Sequence, residues 1–88
     1  MEWSVYMILC SDGTLYTGIS KNVAQRFKQH KNGQGAKYFR GRQPQQVVYV
    51  EAGHNRSSAT RRESGIKKLK RIDKWRLIAT HRNNILNS

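Results

Sequence analysis

Glu63 is the residue least explained by its neighbours. On a helix it falls four residues after Ala59 and three before Ile66, on the stripe that turns inward. A carboxylate withdrawn from water is costly unless it is ion-paired or holds a metal. Arg61 and Arg62 flank it in sequence. Two readings stay open: a structural ion pair with a basic side chain, or a ligand for a hard cation of the kind phosphodiester hydrolysis uses. The remaining acids have plainer explanations. Glu2 is terminal, Asp12 fits a turn, Asp73 fits a helix N-cap, and Glu51 ends a strand where water can solvate it.

Arg26 and His30 stand four apart and project together from one helix face. The guanidinium fork suits phosphate oxygens, and an imidazole can donate a hydrogen bond or carry a proton. An exposed basic face would show the same spacing. Tyr6 and Tyr16 lie in β-prone segments, where tyrosine usually packs. Gly18, two residues on, leaves a gap in its strand and marks a place where a ligand can approach the backbone.

The elements that must position these groups follow from pattern. Residues 3–10 form a continuously apolar strand, Ser11-Asp12-Gly13 supplies turn chemistry, and Thr14–Ile19 forms a second strand, making a hairpin. A three-residue loop pairs Ile8 with Tyr16 and Tyr6 with Gly18, placing both tyrosines on one face; a two-residue loop separates them. Asn22 and Gln25 resemble a capping box for a helix over 23–31, with Val23 and Phe27 inward, ending at Asn32-Gly33. Residues 34–44 read as an irregular basic loop with at most one helical turn, and Gln46–Ala52 as a third strand. Ser57 or Ser58 caps a helix from Ala59 to Arg71, and Asp73 caps a last one from Lys74 to Thr80. The expected fold is α/β, a small three-stranded, mainly antiparallel sheet flanked by helices in the order β-β-α-β-α-α. Residues 1–80 form one domain, and 81–88 a polar tail expected to fray.

The 88 residues hold 17 Lys and Arg against five Asp and Glu, a net charge of +12. Such an excess raises self-repulsion and points to a polyanion, above all nucleic acid. One cysteine, Cys10, excludes a disulfide scaffold and a thiolate zinc site. The longest apolar run is too short to span a bilayer, no leader pattern opens the chain, and no helix pairs a Trp/Leu face with a Lys face. The expectation is a soluble, cytoplasmic protein without a membrane partner.

With these residues in place, the chain resembles the GIY-YIG endonuclease superfamily, most of all its small stand-alone single-domain bacterial branch. Ser4-Val5-Tyr6 stands at the first name motif and Tyr16-Thr17-Gly18 at the second. Arg26, His30 and Glu63 follow in order, and Gly35–Arg42 with Val47–Glu51 adds to the likeness. Ser4 and Val5 replace the Gly and Ile of the first motif. The resemblance covers residues 3–72 and implies the hairpin register that brings the tyrosines together. It also implies a DNA endonuclease using one Mg²⁺ or Mn²⁺ ion. In that scheme Glu63 is the metal ligand, and Tyr16 is a general base whose phenol nearby cations make acidic. Tyr6 and His30 orient Tyr16 or the water, and Arg26 neutralises phosphoryl charge. Enzymes of this superfamily commonly use attached domains or partners for target choice, so a protein partner is expected as well.

Expected nucleic-acid contacts are Gly18, Lys21, Lys37, Tyr38, Arg40, Arg42, Arg62 and Lys67, with Tyr38 and Phe39 interleaved among the loop charges for base stacking. In the plainer reading, Phe39 packs inward and the charges are solvated. DNA is favoured over RNA by the resemblance alone. A non-catalytic nucleic-acid-binding module, accessory to DNA repair or RNA metabolism, is the alternative. Both readings predict backbone or shape recognition, measurable as an affinity that falls steeply as salt rises; a flat salt titration would contradict them.

Overall fold

A computed structural model of the chain describes residues 2–34 and 37–87, with side chains described as far as His81. Gly35 and Ala36 of the expected loop therefore lie outside the described residues. Three strands, β1 (Trp3–Cys10), β2 (Leu15–Ser20) and β3 (Pro44–His54), form one antiparallel sheet in the order β2-β1-β3. Helix α1 (Val23–Lys31) follows β2, and one 3₁₀ turn (Lys37–Phe39) precedes β3. Helices α2 (Arg56–Lys67) and α3 (Arg71–Asn87) close the chain.

The unbroken apolar run of β1 is explained by its central place, since both of its faces are covered. Val5 and Met7 face a core made with Tyr49, Ala59, Ile66 and Ile78, under α2 and α3. Tyr6, Ile8 and Cys10 face the other way, under Val23 and Phe27 of α1 and Tyr38 and Phe39 of the 3₁₀ turn. Cys10 is buried packing, and its burial pushes the thiol pKa up. No described helix is long and apolar enough to cross a membrane.

The hairpin takes the three-residue loop. Cys10 accepts from the Gly13 amide at 2.9 Å, Gly13 adopts φ +83°, and Tyr6 pairs with Gly18 and Ile8 with Tyr16. Asp12 ties the turn by accepting from the Thr14 amide (3.1 Å) and hydroxyl (2.6 Å). These bonds, with Arg42, hold its carboxyl near pKa 2.

Several boundaries differ from the pattern-based expectation. β3 extends two residues further at each end, and Pro44 is tolerated because it opens an edge strand. Asn55, rather than Ser57 or Ser58, caps α2: its side chain accepts from the Ser58 amide at 2.8 Å while Ser58 Oγ accepts from the Asn55 amide at 3.2 Å. α2 stops at Lys67 instead of Arg71. α3 begins at Arg71, so Asp73 lies inside its first turn rather than capping it. The backbone of α3 continues to Asn87, through the stretch expected to fray, where no Gly or Pro interrupts it.

Ile66 carries α2 into the core with no exposed surface. Ile66→Ala should cost about 2–5 kcal/mol in urea unfolding. A loss below ~1 kcal/mol would mean that α2 does not pack as described.

Candidate active site

Tyr6 lies tightly over Gly18. A methyl placed on Gly18 would meet Tyr6 Oη at 2.7 Å, Tyr6 Cζ at 2.8 Å and Tyr16 Cε2 at 3.0 Å. The gap that Gly18 leaves is thus filled by the Tyr6 phenol rather than offered to a ligand. Gly18 is itself buried, which removes it from the expected nucleic-acid contacts. Its role is to let the Tyr6 ring lie flat across β2 beside Tyr16, with ring centroids 6.2 Å apart.

α1 supplies the next layer. Asn22 caps it by accepting from the Gln25 amide at 3.1 Å, and its own amide bonds Ser20 rather than the Gln25 side chain, so the expected box is half formed. The helix then directs His30 inward, 1% exposed, where Nε2 lies 3.1 Å from Tyr6 Oη. Its Nδ1 is buried with no hydrogen-bond partner among the described residues. Burial and the nearby Arg26 charge push the His30 pKa down, opposed by the Gln34 main chain from outside hydrogen-bond geometry. His30 is therefore a neutral imidazole at neutral pH. Arg26 is half-buried, donates to Gln29 Oε1 at 3.1 Å, and lies close enough to the Tyr6 hydroxyl to act on it.

α2 lies along β2 and brings Glu63 to the same edge, where its charge reaches both Tyr6 and Tyr16. The Glu63 side chain is 21% exposed, and Oε2 lies 3.3 Å from Lys67 Nζ. So the inward acid is real and its basic partner is Lys67, one turn on; Arg61 bonds Ser57 instead, and Arg62 bonds Glu51. Lys67 also lies near Tyr16, placing it within the site.

Tyr16 does not have the lowered pKa that the resemblance implies. Burial raises the Tyr16 pKa above its ordinary value; Lys67 and Arg26 pull it down, Glu63 pushes it up, and burial prevails. The expected depression is thus reversed, because the phenol sits among Tyr38, Phe39 and His30 at centroid distances of 5.2, 4.8 and 5.3 Å. Burial, then Tyr16, drives Tyr6 further up, so Tyr6 remains a protonated hydroxyl.

Among the described residues, no three His, Cys, Asp or Glu side chains converge. A metal at this site would rest on Glu63 as its one carboxylate. That donor set does not suit zinc, which takes three or four protein ligands. It does suit Mg²⁺ or Mn²⁺, hard cations that accept one carboxylate together with water and substrate phosphate.

The structure thus brings Tyr6, Tyr16, Arg26, His30 and Glu63 together. It disperses most of the expected nucleic-acid contacts. Lys37 and Arg40 are exposed around the 3₁₀ turn, and Lys21 is exposed with its ammonium 5.4 Å from the Trp3 ring. Arg42 is used internally, bonded to Asp12 at 2.8 Å and to the Tyr38 carbonyl at 3.3 Å, with its guanidinium 4.3 Å from the Tyr38 ring. Arg62 is used internally too, in a network where Glu51 also accepts from Tyr49 (2.6 Å) and pairs with His54 (2.7 Å). Glu51 is accordingly not left to water alone: burial works against its charge, but the bonds from Tyr49, His54 and Arg62 prevail and lower its pKa. Lys67, expected only as a nucleic-acid contact, also joins this site through its i, i+4 pairing with Glu63. Phe39 takes the plainer of its two expected places, packed inward 4.4 Å from the His30 ring.

Comparison with known proteins places this architecture. A family described as the GIY-YIG catalytic domain matches residues 2–77. A UPF0213 protein of Natronomonas pharaonis is 48% identical over 75 residues, 85% of this chain and 88% of its own. A UPF0213 protein of Staphylococcus saprophyticus is 45% identical, covering 85% and 92%. Among solved structures, an NMR structure of a UPF0213 protein from Bacillus halodurans matches at TM-score 0.58 and 40% identity, over 91% of this chain and 85% of that one. An NMR structure from E. faecalis matches at TM-score 0.65 and 34% identity, over 93% and 88%.

Gly18→Ala forces a methyl into the Tyr6 ring and should cost about 1–3 kcal/mol while shifting the Tyr6 and His30 NMR signals; an unperturbed variant would contradict the close approach. His30 has a lowered folded pKa, so the unfolded chain takes up a proton that the folded chain refuses. Stability should therefore fall as pH drops below the unfolded value of about 6.5 toward the folded pKa. His30→Gln should flatten that slope in melts between neutral and mildly acidic pH, and equal slopes in both proteins would refute it. The lowered Asp12 and Glu51 act in a separate window, starting near their unfolded values of about 4.

Proposed function

The chain belongs to the GIY-YIG catalytic domain family, and we propose that it is a divalent-metal-dependent endonuclease hydrolysing DNA phosphodiester bonds. One observation carries this reading: Tyr6, Tyr16, Arg26, His30 and Glu63, drawn from four separate elements, meet at one edge of the sheet. A folding requirement alone gives no reason to gather two phenols, an imidazole, a guanidinium and a carboxylate there.

Glu63 is the ligand for one Mg²⁺ or Mn²⁺. When bound, the ion supplies Lewis-acid stabilisation of the charge building on the scissile phosphate. Tyr16 acts as the general base through its minor phenolate form: its own proton passes to solvent first, and the phenolate then takes the proton of the attacking water. Lys67 and Arg26 favour its phenolate, offsetting part of the burial effect. Arg26 neutralises the phosphoryl oxygens through its forked donors. Tyr6, held protonated, directs its hydroxyl at Tyr16, and neutral His30 fixes the Tyr6 ring from behind.

The Lys67–Glu63 pair and the raised Tyr16 pKa favour a second reading, a nucleic-acid-binding module of the same fold without catalysis. The test is cleavage of a labelled panel (plasmid, single strand, branched DNA, RNA) with Mg²⁺ or Mn²⁺ and a chelator control. Glu63→Ala and Tyr16→Phe should each reduce cutting by ~100-fold or more while retaining binding. Tight binding with no cutting by the wild-type protein would favour the binding module.

A further inference from the structure

Next to the tyrosine cluster lies a cleft of about 230 Å³ lined by Thr14, Leu15, Tyr38, Arg71 and Lys74. We propose that it is a subsite for one unpaired nucleotide of the bound strand, adjacent to the reacting phosphate. The inference rests on the nuclease reading for its purpose but not for its chemistry. The substrate class it implies is a nucleic acid with an unpaired nucleotide beside the cut, as in a single strand, flap or bulge.

The walls have the chemistry of a nucleotide. Arg71 and Lys74 supply two cations for a phosphate, Leu15 and the Tyr38 ring supply apolar surface for sugar and base, and Thr14 supplies a hydroxyl. That hydroxyl already donates to Asp12 at 2.6 Å, so toward a ligand it acts as an acceptor. Asp12 does not repel a phosphate here, because Arg42 holds its other oxygen at 2.8 Å. The volume falls below the range of ~300–1,000 Å³ for sites that enclose a free drug-sized ligand, so the cleft would hold part of one nucleotide of a strand anchored elsewhere.

No acid among the described residues engages these two cations, although the Arg71 guanidinium lies close to the hairpin turn at Gly13. Asp12, Glu51, Glu63 and Asp73 each pair with another basic residue. Among the described residues, neither Arg71 nor Lys74 is in an ion pair. Both sit in the first turn of α3, where the helix macrodipole disfavours positive charge. A phosphate between them would relieve this conflict. The site's position also fits. Tyr38 is a wall of the cleft, and its ring lies 5.2 Å from that of Tyr16, so the two sites share a boundary.

The test is an NMR titration of the metal-free protein with thymidine 5′-monophosphate and, separately, inorganic phosphate. The nucleotide should move the Thr14, Leu15 and Tyr38 signals together, and more than phosphate does at equal concentration. Arg71→Ala/Lys74→Ala, checked for unchanged Val5 and Ile66 signals, should abolish the response. It should also reduce the salt slope of single-strand binding by about 0.7, the value of one phosphate contact. Equal responses to both ligands would reduce the cleft to an anion site and overturn the proposal, as would no response there. Because this titration needs no cleavage, a protein that binds the nucleotide yet never cuts DNA defeats the nuclease reading alone. One that cuts DNA without binding the nucleotide defeats the subsite alone.

Discussion

The turn Ser11-Asp12-Gly13 sets how β1 pairs with β2, and the rest of the structure depends on that register. With three residues in the loop, Tyr6 falls opposite Gly18 and Ile8 opposite Tyr16, so both phenols occupy the face covered by α1. A slip of one residue would exchange the two faces of β2. Gly18 then makes the register close-fitting, because no other residue leaves room for the Tyr6 ring. From there the sequence of contacts is short: Tyr6 receives His30, His30 receives Phe39, and Tyr16 fills the space between them. The opposite face, with Ala59 and Ile66 fully buried, carries α2 along β2 and delivers Glu63 to the same edge.

Much of this was legible in the residues, unevenly. The central strand showed itself as an unbroken apolar run, and Glu63 as an acid on an apolar stripe. The hairpin register was not decidable from pattern alone, since both loop lengths suit Ser-Asp-Gly; the family likeness pointed to the register that is found. The break between α2 and α3 falls in Lys68-Leu69-Lys70, where no Gly or Pro announces it, so the two helices were divided in the wrong place. Arg42 and Arg62 looked like free surface charge because their partners, Asp12 and Glu51, are 30 and 11 residues away. The titration of Tyr16 was misjudged because counting cations ignores burial, and burial is the larger effect here.

Charge distribution links the fold to its use. Four of the five acids are engaged by basic side chains, and each such contact fixes a junction: turn to loop, β3 to α2, or one helix turn to the next. With 17 Lys and Arg in the chain, most cations are left without an acid to pair with. Their mutual repulsion opposes the compact state and is offset when a polyanion binds. The Tyr6–Tyr16–Glu63 edge carries two of these cations itself, Arg26 and Lys67, beside its carboxylate and two phenols.

In the proposed mechanism Glu63 holds the hard cation and Tyr16 stands beside it as general base. The most direct measurement is a titration of the protein with Mn²⁺ followed by paramagnetic broadening of its NMR signals, beside Glu63→Gln. Glu63, Tyr16 and Tyr6 should broaden first, and the substitution should abolish the effect. Broadening centred on Glu51 or Asp12, or unchanged by Glu63→Gln, would contradict it.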